Sequence, residues 1–208
     1  PDEEGVHEDD VFTCVEPLGE AARGRQRSKG RISMIINKPA TGNFPAYASL
    51  YIDLIADDGH VITRLTDQLP STLALLQSLP DSTLRHRYAQ DKWSIKEILS
   101  HIIDDERIYV YRALRFARND CTELPGFDQD QYVADSAADS RTGQEIIEEY
   151  AATRRASIAF FQGLNERQWQ RSGIADGHRA TVGSLVCHIA GHEVHHMNTI
   201  KARYVTNV

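Results

Sequence analysis

The sequence has little cysteine. Its 208 residues include three, Cys14, Cys121 and Cys187, and no two of them form a C-x-x-C pair. An odd number of widely separated cysteines does not indicate a disulfide framework. Because disulfides are rare in reducing compartments, we expect a cytoplasmic protein without structural disulfides.

Long apolar runs and an excess of basic residues are absent as well. No stretch of the sequence approaches the roughly 18 uncharged apolar residues of a membrane-spanning helix. The formal net charge is −7, which disfavours binding to DNA, RNA or an anionic membrane surface. We therefore expect a small-molecule substrate as the binding partner, with no nucleic acid and no membrane.

Strand patterns and phosphate-binding loops are also missing, and helical periodicity fills the chain from about residue 45 onward. Apolar residues recur at helical spacing in four long segments, over about residues 61–79, 94–119, 142–163 and 181–204. Ser94 with Glu97, and Thr142 with Glu145, form capping boxes that mark two helix starts. An all-α four-helix bundle is the simplest fold that buries four apolar stripes.

Two segments lie outside this helical pattern. Residues 1–33 have no sustained period, so we predict a mostly irregular or disordered N-terminal arm there and place the bundle domain at residues 34–208. Residues 120–140 form a long polar segment. A loop of that length is unusual without its own structure and often carries function.

Histidines occupy the apolar stripe of the last predicted helix. His192 and His196 are one turn apart, at the spacing i and i+4, so their ring nitrogens can converge on one ion. The alternative is a pair of hydrogen-bonded core histidines, which would leave several buried ring nitrogens to satisfy. Two histidines on one stripe therefore favour a metal site.

The third ligand is expected from another helix. His188 extends the row of His192 and His196, but the ends of that row are about 12 Å apart, so one ion cannot bind all three. His101 is the best candidate, because it lies beside the apolar stripe of the 94–119 segment. It is also one turn from Asp105, a carboxylate that could orient it.

The same stretch contains the H-E-x-x-H motif, as His192-Glu193-Val194-His195-His196. In zinc metalloproteases the glutamate of this motif acts as general base. Those enzymes take a third ligand from further along the chain and use a substrate-binding sheet, and neither is found here, so a protease is disfavoured. Glu193 and His195 stay candidate catalytic residues, although for His195 a place on a solvated helix face is an equal alternative.

Three blocks of the sequence resemble the DinB/YfiT-like family of metal-binding helical bundles. They are KWSIKEILSHIIDDERIYVYRALRFAR at 92–118, LPGFDQDQYV at 124–133 and IAGHEVHHMNTIKARY at 189–204. The resemblance spans about residues 45–205. It implies a four-helix bundle, often a homodimer, that holds a divalent ion, typically nickel or zinc, through His101, His192 and His196.

The resemblance also implies an activity. Relatives in that family include bacillithiol-dependent S-transferases and a mycothiol-dependent maleylpyruvate isomerase. The chain is therefore expected to be a metal-dependent thiol S-transferase that acts on small electrophilic molecules, with a low-molecular-weight thiol as a further cofactor. Two alternatives stay open: a metal-dependent hydrolase with Glu193 as base, and a non-enzymatic, stress-related binding module with a structural metal.

Overall fold

The computed structural model describes residues 35–205, so the predicted arm, residues 1–33, lies outside the described part of the chain. The helices in chain order are α1 (Ser49–Ile52), α2 (Val61–Gln77), α3 (Asp81–Leu84), α4 (Ile95–Ala117), α5 (Gln129–Asp135), α6 (Gly143–Gln162), α7 (Glu166–Trp169) and α8 (Val182–Ile200). The four long helices, α2, α4, α6 and α8, form the predicted bundle. No helix of residues 35–205 has both the length and the apolar character needed to cross a membrane.

Side-chain caps fix where three of the four long helices begin. The capping boxes predicted at Ser94 and Thr142 are present at the starts of α4 and α6. A further box, Thr181 with Ser184, starts α8. Each box satisfies backbone N–H groups that the first turn leaves without an intrahelical partner.

A short hairpin precedes α8, in a sequence with almost no strand signal. Its strands, β1 (Ser172–Ala175) and β2 (His178–Thr181), pair in antiparallel fashion. Asp176 and Gly177 form the turn between them, and both have positive φ angles. Strands of four residues are too short to show a clear alternation of apolar and polar residues.

The predicted 120–140 loop has structure of its own. It contains α5 and a 3-10 turn, Ala138–Ser140. Leu124 is bridged to Ala175 of the hairpin, and the Arg112 side chain donates a hydrogen bond to the Pro125 carbonyl oxygen. The segment is therefore attached to both the hairpin and α4.

Helix packing brings α4, α8 and α1 together. α4 packs against α8 and α6, α2 packs against α6, and α1 lies on α8. The contact between α1 and α8 depends on Gly191, because a Cβ at this position would lie only 2.1 Å from the carbonyl oxygen of Tyr51. The histidines of α8 thus face α4, and α1 packs closely against the same helix.

The two cysteines of residues 35–205 have different states. Cys187 is buried and free, and its burial raises the pKa of the thiol to about 12. Cys121 is disulfide-bonded, which the sparse cysteine content did not predict.

Candidate metal centre

Three histidine side chains converge between α4 and α8. His101 comes from α4, and His192 and His196 come from successive turns of α8. The Nε2 atom of His192 lies 2.9 Å from that of His101 and 3.0 Å from that of His196. The structure therefore brings together the three residues that the sequence selected as metal ligands.

These imidazoles are held in the form that binds metal ions. Burial lowers the pKa of all three, to about 3 for His192 and to about 2 for His196. Each neutral ring keeps a nitrogen lone pair. Histidine nitrogens bind zinc at about 2.0–2.1 Å, so two of them on one ion lie about 2.9–3.4 Å apart for angles of about 90–110°. The observed separations fit a shared ion, and the donors suit zinc, nickel, copper and iron.

Asp105 lies close to two histidines other than the one expected. Its Oδ2 atom lies 3.4 Å from Nδ1 of His192 and 3.4 Å from Nε2 of His188. Burial by itself would raise the pKa of Asp105, but the two histidines hold it below its usual value. The separation from Nδ1 is too long for a hydrogen bond, but a negative charge at this distance favours a proton on Nδ1, which leaves the Nε2 lone pair of His192 for an ion.

A cavity of about 280 Å³ opens beside the histidine cluster. His196, half-buried His195 and Asp130 line it, with Trp93 among its aromatic walls. The Trp93 ring centre lies 5.0 Å from that of His101. Because Asp130 belongs to α5, the 120–140 segment contributes directly to this cavity.

Glu193 does not lie beside the cluster. Its Oε1 atom accepts hydrogen bonds from the hydroxyls of Thr72, at 2.5 Å, and Tyr150, at 2.8 Å. Its Oε2 atom is paired with Nη1 of Arg154 at 2.5 Å, and the side chain is only 1% exposed. Both oxygens are therefore taken up by α2 and α6, and the interpretation of Glu193 as base of an H-E-x-x-H site is not supported by its position.

Arg154 is the centre of a buried ion network that the sequence analysis missed. It donates to both carboxylate oxygens of Glu106, at 2.8 to 3.1 Å, in addition to its contact with Glu193. Burial opposes the charge of the guanidinium, but the two carboxylates raise the pKa of Arg154. Thr72 lies in α2, Glu106 in α4, Arg154 in α6 and Glu193 in α8, so the network joins all four long helices. The spacing of Arg154 from Ile147 and Tyr150 in the sequence places it on the apolar stripe of α6, and this spacing could have revealed that Arg154 is buried.

The bundle and the histidine cluster define this chain as a helical-bundle protein with a candidate centre for a divalent metal ion. A sequence model of the DinB superfamily matches residues 64–200. The chain belongs to the DinB superfamily, as the resemblance of its three sequence blocks indicated.

Two relatives have names that refer to metal-dependent chemistry. The chain is 27% identical over 150 residues to a protein of Oceanobacillus iheyensis named "Putative metal-dependent hydrolase", a match that covers 70% of this chain and 83% of that protein. Among solved structures, YfiT from Bacillus subtilis matches with a TM-score of 0.56 and 16% identity, over 74% of this chain and 97% of that one. It is described as "a probable metal-dependent hydrolase with an unusual four-helix bundle topology". The likeness to YfiT shows the fold.

Proposed function

We propose that this protein is a metal-dependent hydrolase of small molecules, with a nickel or zinc ion held by His101, His192 and His196. The observation that carries the proposal is the convergence of three neutral imidazole nitrogens, with separations of 2.9 and 3.0 Å. The names of the two relatives, both of which refer to metal-dependent hydrolases, support the reaction class.

The residues around the cluster have separate roles in this proposal. Three histidine ligands leave positions open on an ion, and a bound ion lowers the pKa of a water molecule or thiol held there. The negative charge of Asp105, 3.4 Å from Nδ1 of His192, would favour a proton on that nitrogen. Burial lowers the pKa of His195, so this ring is neutral at neutral pH and offers a nitrogen that accepts a proton at the edge of the cavity.

The cavity limits the size of the substrate. Its volume of about 280 Å³ is just below the usual range of ligand pockets, which is about 300–1,000 Å³. Tyr88, Trp93 and Tyr204 supply apolar ring surface, and Asp91, Lys92 and Asp130 supply charge. This lining suits a small molecule with both an apolar and a polar part.

Elemental analysis tests the metal. We expect at least one equivalent of nickel or zinc per wild-type chain and none in His192→Ala. His178→Ala is the matched control, because His178 is exposed on β2; its metal content should equal that of the wild type. Equal metal content in the wild type and His192→Ala would contradict the proposal.

Thiol transfer is the second candidate function, because it needs no glutamate base beside the ion. Hydrolysis by an H-E-x-x-H site needs the glutamate as base, whereas here both oxygens of Glu193 are engaged. A thiol bound to a cation loses its proton without a carboxylate base. In this version the sulfur of a low-molecular-weight thiol would form a bond with an electrophilic carbon of the second substrate, and a leaving group such as halide would depart from that carbon with the electron pair of the broken bond.

Activity assays on metal-loaded protein separate the two functions. Metal-dependent cleavage of a panel of small esters and amides in the absence of thiol supports the hydrolase. Metal-dependent consumption of a thiol together with an electrophile supports the transferase. For the hydrolase, His195→Phe should lower kcat and leave the metal content unchanged. If neither activity is found, a structural metal in a binding module becomes the better account.

A further inference from the structure

A second group of potential ligands lies next to the first and shares His192 with it. It consists of Asp105, His188 and His192, which are all buried. Oδ2 of Asp105 lies 3.4 Å from Nε2 of His188 and 3.4 Å from Nδ1 of His192. His188 lies one turn before His192, so the histidines of α8 extend beyond the three-histidine cluster.

Three buried polar atoms of this group lack hydrogen bonds. Oδ2 of Asp105 and both ring nitrogens of His188 are buried without a hydrogen-bond partner. Separations of 3.4 Å exceed the usual N–H···O range of about 2.7–3.2 Å. A buried carboxylate and a buried imidazole without partners are both unfavourable, so the group as it stands is incompletely satisfied.

The same separations fit a shared cation. Nitrogen and oxygen ligands at about 2.0–2.1 Å from zinc, at an angle of about 110°, lie about 3.4 Å apart. Two imidazoles and one carboxylate form a donor set that zinc and similar divalent ions accept. An ion at this point would pair with the Asp105 charge and would use a nitrogen of His188 that otherwise has no partner.

We propose that Asp105, His188 and His192 form a second divalent-cation site, with zinc as the representative ion, and that His192 bridges the two sites. Nε2 of His192 would serve the ion shared with His101 and His196, and Nδ1 would serve the second ion. Binding of the second ion releases the Nδ1 proton of His192 to solvent, and the bridging ring becomes an imidazolate. The inference goes beyond the proposed function and does not depend on which reaction the protein catalyses.

Neighbouring aromatic rings hold the second group in place. The Tyr109 ring stacks on His188, with centres 3.9 Å apart and planes 10° apart. Tyr51 of α1 contacts His188 and His192 edge to face, at 4.9 and 5.0 Å. These contacts fix the orientation of both imidazoles before any ion binds, which lowers the entropic cost of assembling the site.

Metal stoichiometry of the full chain tests the second site. The protein is stripped with a chelator, dialysed against zinc at fixed free concentrations and analysed for bound zinc. We expect two equivalents for the wild type and one for His188→Phe, which keeps a ring against Tyr109 but has no donor nitrogen. His101→Phe should also retain one. His195→Phe is the matched control from the same helix and should bind two, and circular dichroism checks that each variant is folded.

A copper readout is independent of stoichiometry. Two Cu²⁺ ions bridged by one imidazolate are magnetically coupled, so the electron paramagnetic resonance signal of the loaded wild type should be weaker than that of isolated Cu²⁺. His188→Phe should restore an isolated signal. Saturation of the wild type at one zinc, with no change in His188→Phe, would overturn the proposal and leave Asp105 and His188 as groups that only orient His192. Loss of zinc in His188→Phe but not in His101→Phe would instead contradict the first centre and retain the second.

Discussion

His192 presents its two ring nitrogens to different neighbours. Nε2 lies near the matching nitrogens of His101 and His196, and Nδ1 lies near Asp105. The protonation of one nitrogen determines which lone pair remains on the other. We therefore expect the affinity of the proposed centre for an ion to depend on Asp105, although Asp105 does not belong to the three-histidine cluster.

Replacement of this carboxylate by an amide should weaken metal binding. We expect Asp105→Asn to reduce the zinc affinity by about 10–100-fold, because the amide has no charge with which to hold the Nδ1 proton of His192. Competition with a chromophoric chelator measures the affinity. Asp104→Asn is the matched control, since Asp104 is half-buried and faces Arg107 at 3.7 Å; equal affinities for the two variants would contradict this role.

Residue spacing predicted part of the cluster and could not predict the rest. The i, i+4 pair of His192 and His196 has a fixed geometry on any helix, so its convergence follows from the sequence. The partners of Asp105 and Glu193 depend on which neighbouring helix each residue faces. Adjacent residues of a helix point about 100° apart, and so His192 and Glu193 contact different helices despite being consecutive.

At the scale of elements, the Arg154 network connects the four long helices through charged side chains. Removal of the cation leaves the carboxylates of Glu106 and Glu193 buried without compensation, so Arg154→Met should lower the free energy of unfolding by about 3–5 kcal/mol. Urea denaturation measures the change. The matched control is Arg107→Ala. The Arg107 side chain is 50% exposed, and the substitution removes its ion pair with Glu149. Its effect should stay within about 1 kcal/mol, and a similar loss in both variants would contradict the importance of the buried network.

The close contact between α1 and α8 predicts that Gly191 and Gly183 differ in how well they tolerate a larger residue. At Gly191 a Cβ would lie 2.1 Å from the Tyr51 carbonyl oxygen, whereas at Gly183 the nearest atom would be 3.7 Å away. Gly191→Ala should therefore destabilise the protein by about 1–3 kcal/mol through overpacking.

The same substitution at Gly183 should be neutral or stabilise the protein by up to about 1 kcal/mol, because alanine is the better helix former. The unfolding temperatures of the two variants, both of which carry a substitution in α8, measure the difference. If both variants unfold at the wild-type temperature, the close approach of α1 to α8 does not constrain the fold.

Elements with strong local signals were predictable, and the others were not. Capping residues located the starts of α4 and α6 because a cap acts within one turn. The hairpin of β1 and β2 was missed, since its strands are short and its stability comes from pairing and from the contact of Leu124 with Ala175. Tertiary contacts of this kind leave little trace in local periodicity.

For the whole molecule, the lowered histidine pKa values predict a dependence of stability on pH. The pKa is about 3 for His192 and about 2 for His196 in the folded protein, against about 6.5 in an unfolded chain. Between these values the unfolded state binds more protons, so stability falls as the pH drops below about 6.5. Each histidine contributes up to about 1.4 kcal/mol per pH unit in that window.

Urea denaturation with a chelator present, near neutral pH and at about pH 5, measures this loss. His196→Phe removes one of the titrating groups and should reduce the slope. Equal stability of the metal-free wild type at the two pH values would show that the histidines are not held neutral. A homodimer stays a prediction for the whole molecule, and light scattering of the full chain would decide it.

The position of Trp93 has a practical consequence. The chain has two tryptophans. One of them, Trp93, lies 5.0 Å from the His101 ring, whereas Trp169 stacks on Phe161 at 5.6 Å. Cu²⁺ or Co²⁺ held by His101 would quench the fluorescence of the neighbouring indole, and the remaining emission from Trp169 would serve as an internal reference. Occupancy of the centre would thus be visible in the natural fluorescence of the protein, without a dye or a label.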